Sequence, residues 1–161
     1  MQLRETLIAV SNDARGWLKY WAGDFTQTEA LDSRGATTNP LAWYLGHLAV
    51  TEDLVSDMYG GKNGVTSKEL RAICGTGCPT PTRDTHFPVL AELWGLLDQT
   101  HANLLALAER ATDADFDRPP RRESRFFRTF GQSIYELALH ENYHVGEIAT
   151  LRKAWGKNRL R

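Results

Sequence analysis

The sequence predicts an all-α chain, a four-helix bundle with long crossover connections, and three observations carry that expectation. Four long stretches repeat apolar residues at three- and four-residue steps, as the buried face of a helix does. No stretch alternates apolar and polar residues in the manner of a half-buried strand. Gly, Pro and Thr gather in the segments between the four stretches. With 161 residues, the chain suits one domain, residues 1–161, whose core needs no metal or disulfide to hold it.

Leu3, Leu7, Val10, Ala14, Trp17, Leu18 and Trp21 line the first helix, and Gly23 offers its stop. Asn39 is the expected N-cap of the second, with Pro40 at the first helical position, where its missing N–H costs nothing. Leu41, Tyr44, Leu45, Leu48, Leu54, Val55 and Met58 carry that helix to Tyr59 before Gly60-Gly61. Gly60 to Asp84 reads as a long irregular crossover, with one or two helical turns from Ser67 to Ile73. Val89, Leu90, Leu93, Leu96, Leu97, Leu104 and Leu105 mark the third helix, from near Thr85 to near Arg110. Asp113 to Arg128, with Pro119-Pro120, is a second long connection, pinned by Phe126, Phe127 and Phe130. The fourth helix runs from about Thr129 to Trp155, with Gly156 as its stop.

The five tryptophans read first as core packing, and Trp43, one turn before His47, also as a site wall. A net charge of −1, spread along the chain, argues against a nucleic acid or an acidic membrane as the main partner. Mixed charges near Met1 and the lack of a long apolar run predict neither signal peptide nor membrane span, so a cytoplasmic protein is expected. Arg121, Arg122, Arg125 and Arg128 read as a solvated basic surface or, more sharply, as an anion clamp.

His140 and His144 are the most telling pair, because a four-residue interval stacks two imidazoles on one helix face. That is metal-ligand spacing, and His47 on the second helix can complete a set of three if the two helices are neighbours. Three ligands with an open position suit a catalytic ion, such as zinc, rather than a closed structural one. The bland alternative is a pair of histidines satisfied by backbone or solvent. His86 reads as solvated or capping, and His101 as a satisfied core histidine or a second contact behind the site. Glu147, one turn beyond His144, is the candidate to orient that histidine or act as a base, with Glu141 and Glu136 solvated or supporting. Cys74 and Cys78 have an interval unlike CxxC, and read as a local disulfide or, in a cytoplasmic setting, two free thiols near the site mouth.

Asn39-Pro-Leu-Ala-Trp-Tyr-Leu-Gly-His47-Leu and His140-Glu-Asn-Tyr-His144-Val-Gly-Glu-Ile resemble the DinB family, which includes bacillithiol- and mycothiol-dependent transferases. The resemblance follows helix order over nearly the whole chain. It implies a DinB-like four-helix bundle binding a divalent metal, nickel or zinc, through His47, His140 and His144. Glu147 stands where many members have Gln. The expected activity is that of a metal-dependent enzyme, a thiol-dependent transferase or a hydrolase. Its substrate would be a small molecule, with a low-molecular-weight thiol as partner and a homodimer as the plausible assembly. The rival expectation is a non-catalytic metal-binding or stress-associated binding protein with the same three ligands.

Overall fold

The computed structural model describes residues 2–35, 39–61 and 64–157. Among them are seven helices and no strand: four long helices as expected, and three short ones in the connections. The long helices are α1 (Leu3–Ala22), α3 (Leu41–Met58), α5 (Leu90–Arg110) and α7 (Phe130–Ala154). The short ones are α2 (Gln27–Ala30), α4 (Lys68–Cys74) and α6 (Asp113–Phe116).

Side-chain pairings give the helix directions. Arg15 meets Glu141, and further along both helices Arg152 donates to the Trp21 carbonyl, so α1 and α7 run parallel. Glu52 meets Thr100, and further along, just past the end of α3, a Cβ on Gly61 would meet Leu107 of α5, so α3 and α5 also run parallel. His47 faces His140 while Tyr59 faces Ser133, which makes α3 and α7 antiparallel. Arg4 reaches the Ala111 carbonyl and Lys19 reaches Asp98, which makes α1 and α5 antiparallel. The order is therefore up, down, down, up. Two successive helices of the same direction, α3 and α5, need a connection that travels the bundle's length, and this is the crossover bearing α4.

Local chemistry explains most boundaries. Thr26 and Glu29 form a reciprocal capping box at α2, and Thr112 and Asp115 form another at α6. Both boxes were visible in the sequence, yet both segments were expected to be plain connections. Ser67 caps α4 by accepting from the Leu70 N–H, one residue off the expected span. Pro40, rather than Asn39, is the N-cap of α3; the Asn39 N–H donates to the Tyr44 hydroxyl instead. α5 begins at Leu90 and not near Thr85, because Pro88 bars its predecessor from helical conformations and Val89 stays extended as the N-cap.

The core has two apolar clusters. One gathers Leu18, Leu41, Leu45, Leu48, Leu93, Leu97, Val145 and Ile148. The other gathers Leu7, Val55, Met58, Leu104, Phe116, Phe130, Ile134 and Leu137. Phe116 on α6 stacks on Phe130 at 5.7 Å, so α6 and not Phe126 pins the last connection; Phe126 is 67 % exposed. Trp17 is a second correction, at 54 % exposed. Leu7, Ser11, Ala14, Arg15 and Leu18 face inward on α1, and that register turns Trp17 outward.

Candidate metal centre

Local features of α3 and α7 bring three imidazoles to one point. Gly46 lets α4 pack tightly on α3, since a Cβ there would lie 2.5 Å from the Cys74 sulfur. That close approach brings the Cys74 carbonyl within 2.7 Å of His47 Nδ1. A carbonyl only accepts, so Nδ1 carries the proton and Nε2 presents its lone pair. On α7, Nδ1 of His144 lies 2.6 Å from a Glu147 carboxylate oxygen and donates to it, which leaves its Nε2 equally unprotonated.

The three Nε2 atoms converge. His140 Nε2 is 2.9 Å from that of His144 and 3.1 Å from that of His47. At most one proton, on His140, can sit among three nitrogens that each present a lone pair to the same point. Such a donor set fits a cation: ligands at ~2.0–2.1 Å in tetrahedral directions stand about 3.3 Å apart. Burial reinforces the neutral state. It pushes the pKa of His140 down to about 3 and that of His144 down to about 4, with the neighbouring histidines adding to the shift. Burial lowers His47 as well, against the opposing hydrogen bond to Cys74. Neutral imidazole is the form a metal requires.

Behind the three histidines lies a supporting layer. The Trp43 ring stacks on His47 at 4.6 Å and 8°, as a wall of the site. The indole N–H of Trp43 donates to the Cys78 sulfur at 3.5 Å, a second tie between α3 and the segment around Cys74. Tyr44, fully buried, hydrogen-bonds to Glu147. Burial still holds the Glu147 carboxyl above its usual range. Glu147 thus touches the outer nitrogen of His144 and stands away from the converging Nε2 atoms.

The remaining candidates separate cleanly. His86 is exposed, and His101 is a core histidine whose Nδ1 lies 2.9 Å from Glu52. Cys74 and Cys78 are free thiols; burial, with Cys78 adding, pushes the Cys74 thiol up to about 12, far from a reactive thiolate. Arg122 pairs with Asp57 at 2.6 Å on the surface. Glu141, expected to be solvated or supporting, is 4 % exposed and paired with Arg15. Sequence reading missed Arg15 and Glu52 because nothing in their spacing distinguishes them from surface charges. The Cys74 carbonyl was missed because a backbone acceptor leaves no residue signature.

The DinB superfamily model matches residues 12–148, a span that includes all three histidines. The chain belongs to the DinB superfamily. No curated protein matches this DinB-superfamily chain at a significant level. Among the described residues, the His47, His140 and His144 group can hold a metal ion, and no helix of this DinB-superfamily protein is long and apolar enough to cross a membrane.

Proposed function

We propose that this DinB-superfamily protein binds nickel or zinc on His47, His140 and His144. We further propose that it is an enzyme acting on a small molecule, by thiol-dependent transfer in preference to hydrolysis. The observation that carries the reading is the convergence of three Nε2 atoms while the outer nitrogens of His47 and His144 are committed to Cys74 and Glu147. A divalent ion, when bound, ionises a coordinated thiol outright and brings a coordinated water toward a pKa of ~7.

The chain's own residues supply orientation. The Cys74 carbonyl and the Trp43 face hold the His47 ring, and Glu147, backed by Tyr44, sets the His144 tautomer. Among the described residues no carboxylate joins the three Nε2 atoms, and Glu147 is engaged on the far side of His144. A thiol, whose ionisation a bound ion would drive without a protein base, suits that arrangement better than a nucleophile that needs one. Tyr143 stands 66 % exposed and His140 is only partly buried, so the site is not sealed under an aromatic lid. That openness favours a catalytic role over a purely structural ion.

Elemental analysis of protein purified without a chelating tag tests the binding claim. One equivalent of a divalent metal is expected in wild type and in His86→Ala, with none in the double variant His47→Ala, His144→Ala. Absence from wild type after reconstitution would overturn the reading. The loaded protein is then assayed for consumption of a low-molecular-weight thiol with model electrophiles and for hydrolysis of model esters and amides. Full occupancy with neither activity supports the non-catalytic metal-binding alternative.

A further inference from the structure

Just beyond the histidines, one polar side chain or more from each long helix meets in a buried layer between the two apolar clusters. Arg15 of α1 lies at its centre, 5 % exposed. Its Nε donates to Glu141 of α7 at 2.7 Å, its Nη2 to Glu52 of α3 at 2.9 Å, and its Nη1 to the Leu97 carbonyl of α5 at 2.9 Å. Thr100 and His101 of α5 complete the surroundings of Glu52, at 2.8 and 2.9 Å. Well-packed apolar residues of similar volume would serve stability as well as such a buried ionic group, so its placement calls for a positional explanation.

Position is what the layer provides. Glu141 directly follows His140, and Glu52 lies five residues after His47, about 7.5 Å along the helix axis. Arg15 therefore joins the two helices that bear the histidines, immediately beside the level where those histidines meet. Its planar fork fixes direction as well as distance, which a single ammonium cannot do. Tyr44 of α3 also bonds Glu147 of α7 within the site itself, whereas the Tyr59 to Ser133 bond, at 2.9 Å, sits at the far end, twelve residues from His47.

We propose that Arg15 is a positioning residue for the three-histidine site. By bridging Glu52 and Glu141 it sets the separation and axial register of α3 and α7, so that His47 meets His140 and His144 at ligand distance. Arg15 supplies no ligand, and its role rests on the metal-binding reading above. Because metal–nitrogen distances tolerate only about 0.2 Å, a small slip of either helix is felt at the site.

The test compares full-length wild type with Arg15→Lys, which keeps the charge and loses the fork, and with Glu141→Gln, which removes one arm. Tyr59→Phe is the control, because it cuts the α3–α7 tie remote from the histidines. Zinc affinity is measured by chelator competition, the ligand field by cobalt absorption, and metal-free stability by urea denaturation. Arg15→Lys and Glu141→Gln are expected to bind zinc about 10- to 100-fold more weakly with an altered cobalt spectrum. Tyr59→Phe should lose stability while keeping wild-type affinity and spectrum. Should Arg15→Lys fail to fold, Glu141→Gln carries the same expectation. Wild-type affinity and spectrum in the folded clamp variants would overturn the proposal, as would an affinity loss in Tyr59→Phe equal to theirs. Failure of wild type itself to bind zinc or cobalt overturns the metal reading and this proposal together. Binding that depends on His47 but not on Arg15 overturns the clamp alone.

Discussion

Replacing Arg15 by Met removes the guanidinium that Glu52 and Glu141 share, while keeping an unbranched side chain about as long as the Arg15 aliphatic stem. Glu52 retains Thr100 and His101, but Glu141 keeps no other hydrogen bond among the described residues. Glu52 and Glu141 are each 4 % exposed, so water does not replace the lost partner at either one. Breaking a buried ion pair from one side costs about 3–5 kcal/mol. In a chain of this length each kcal/mol moves the melting temperature by about 2–4 °C, so metal-free Arg15→Met should melt about 6–20 °C below wild type. Circular dichroism melts and urea denaturation of the metal-free proteins measure both quantities. Adding Glu141→Leu to Arg15→Met should recover part of the loss, because the orphaned carboxylate is then gone. A loss under ~1 kcal/mol, or no recovery in the double variant, would refute the reasoning that the layer is a closed charge group.

Gly46→Ala should destabilise the protein by about 1–3 kcal/mol in denaturant titrations, since the new methyl meets the Cys74 sulfur at 2.5 Å. Cys74→Ala in that background should restore most of the loss, and its failure to do so would place the strain elsewhere. Under native conditions at pH 8, iodoacetamide with peptide mapping should label Cys78 before Cys74, because Cys74 is buried and its thiol is pushed up to about 12; equal rates would contradict the packing of α4. For Glu52, burial opposes the charge, but the hydrogen bond from His101 and the charge of Arg15 hold its pKa below 4.5. Its contribution is therefore present above pH 4.5 and is lost as pH falls through the lower folded-state value. The stability gap between wild type and Glu52→Gln should shrink below pH 4.5, and a gap that widens there would reverse the assigned sign.

The four long helices and two of the three candidate ligand positions were legible because both rest on local periodicity. His140 and His144 share a face through helix geometry alone, whatever packs against it. His47 was legible as a candidate, but its meeting with the pair depended on α3 and α7 being antiparallel neighbours, which no local pattern encodes. Trp17 and Phe126 were misplaced for a related reason: hydrophobicity says that a side chain gains from burial, while helix register and chain path decide whether burial is available. α2 and α6 show the reverse case, in which the capping signals were present but the segments were too short to display a repeating apolar face.

From the order of its residues alone, this chain determined an all-helical class, the places where helices break at Gly and Pro, and a histidine pair at ligand spacing. Those are short-range consequences of backbone sterics and side-chain periodicity. Tertiary structure alone decided the up, down, down, up arrangement, the Cys74 carbonyl behind His47, and the burial of Arg15 between Glu52 and Glu141. Each of these joins residues far apart in the chain. A charged residue carries the same local signature on a wet surface as in a buried pair, and only the partner brought by the fold tells them apart.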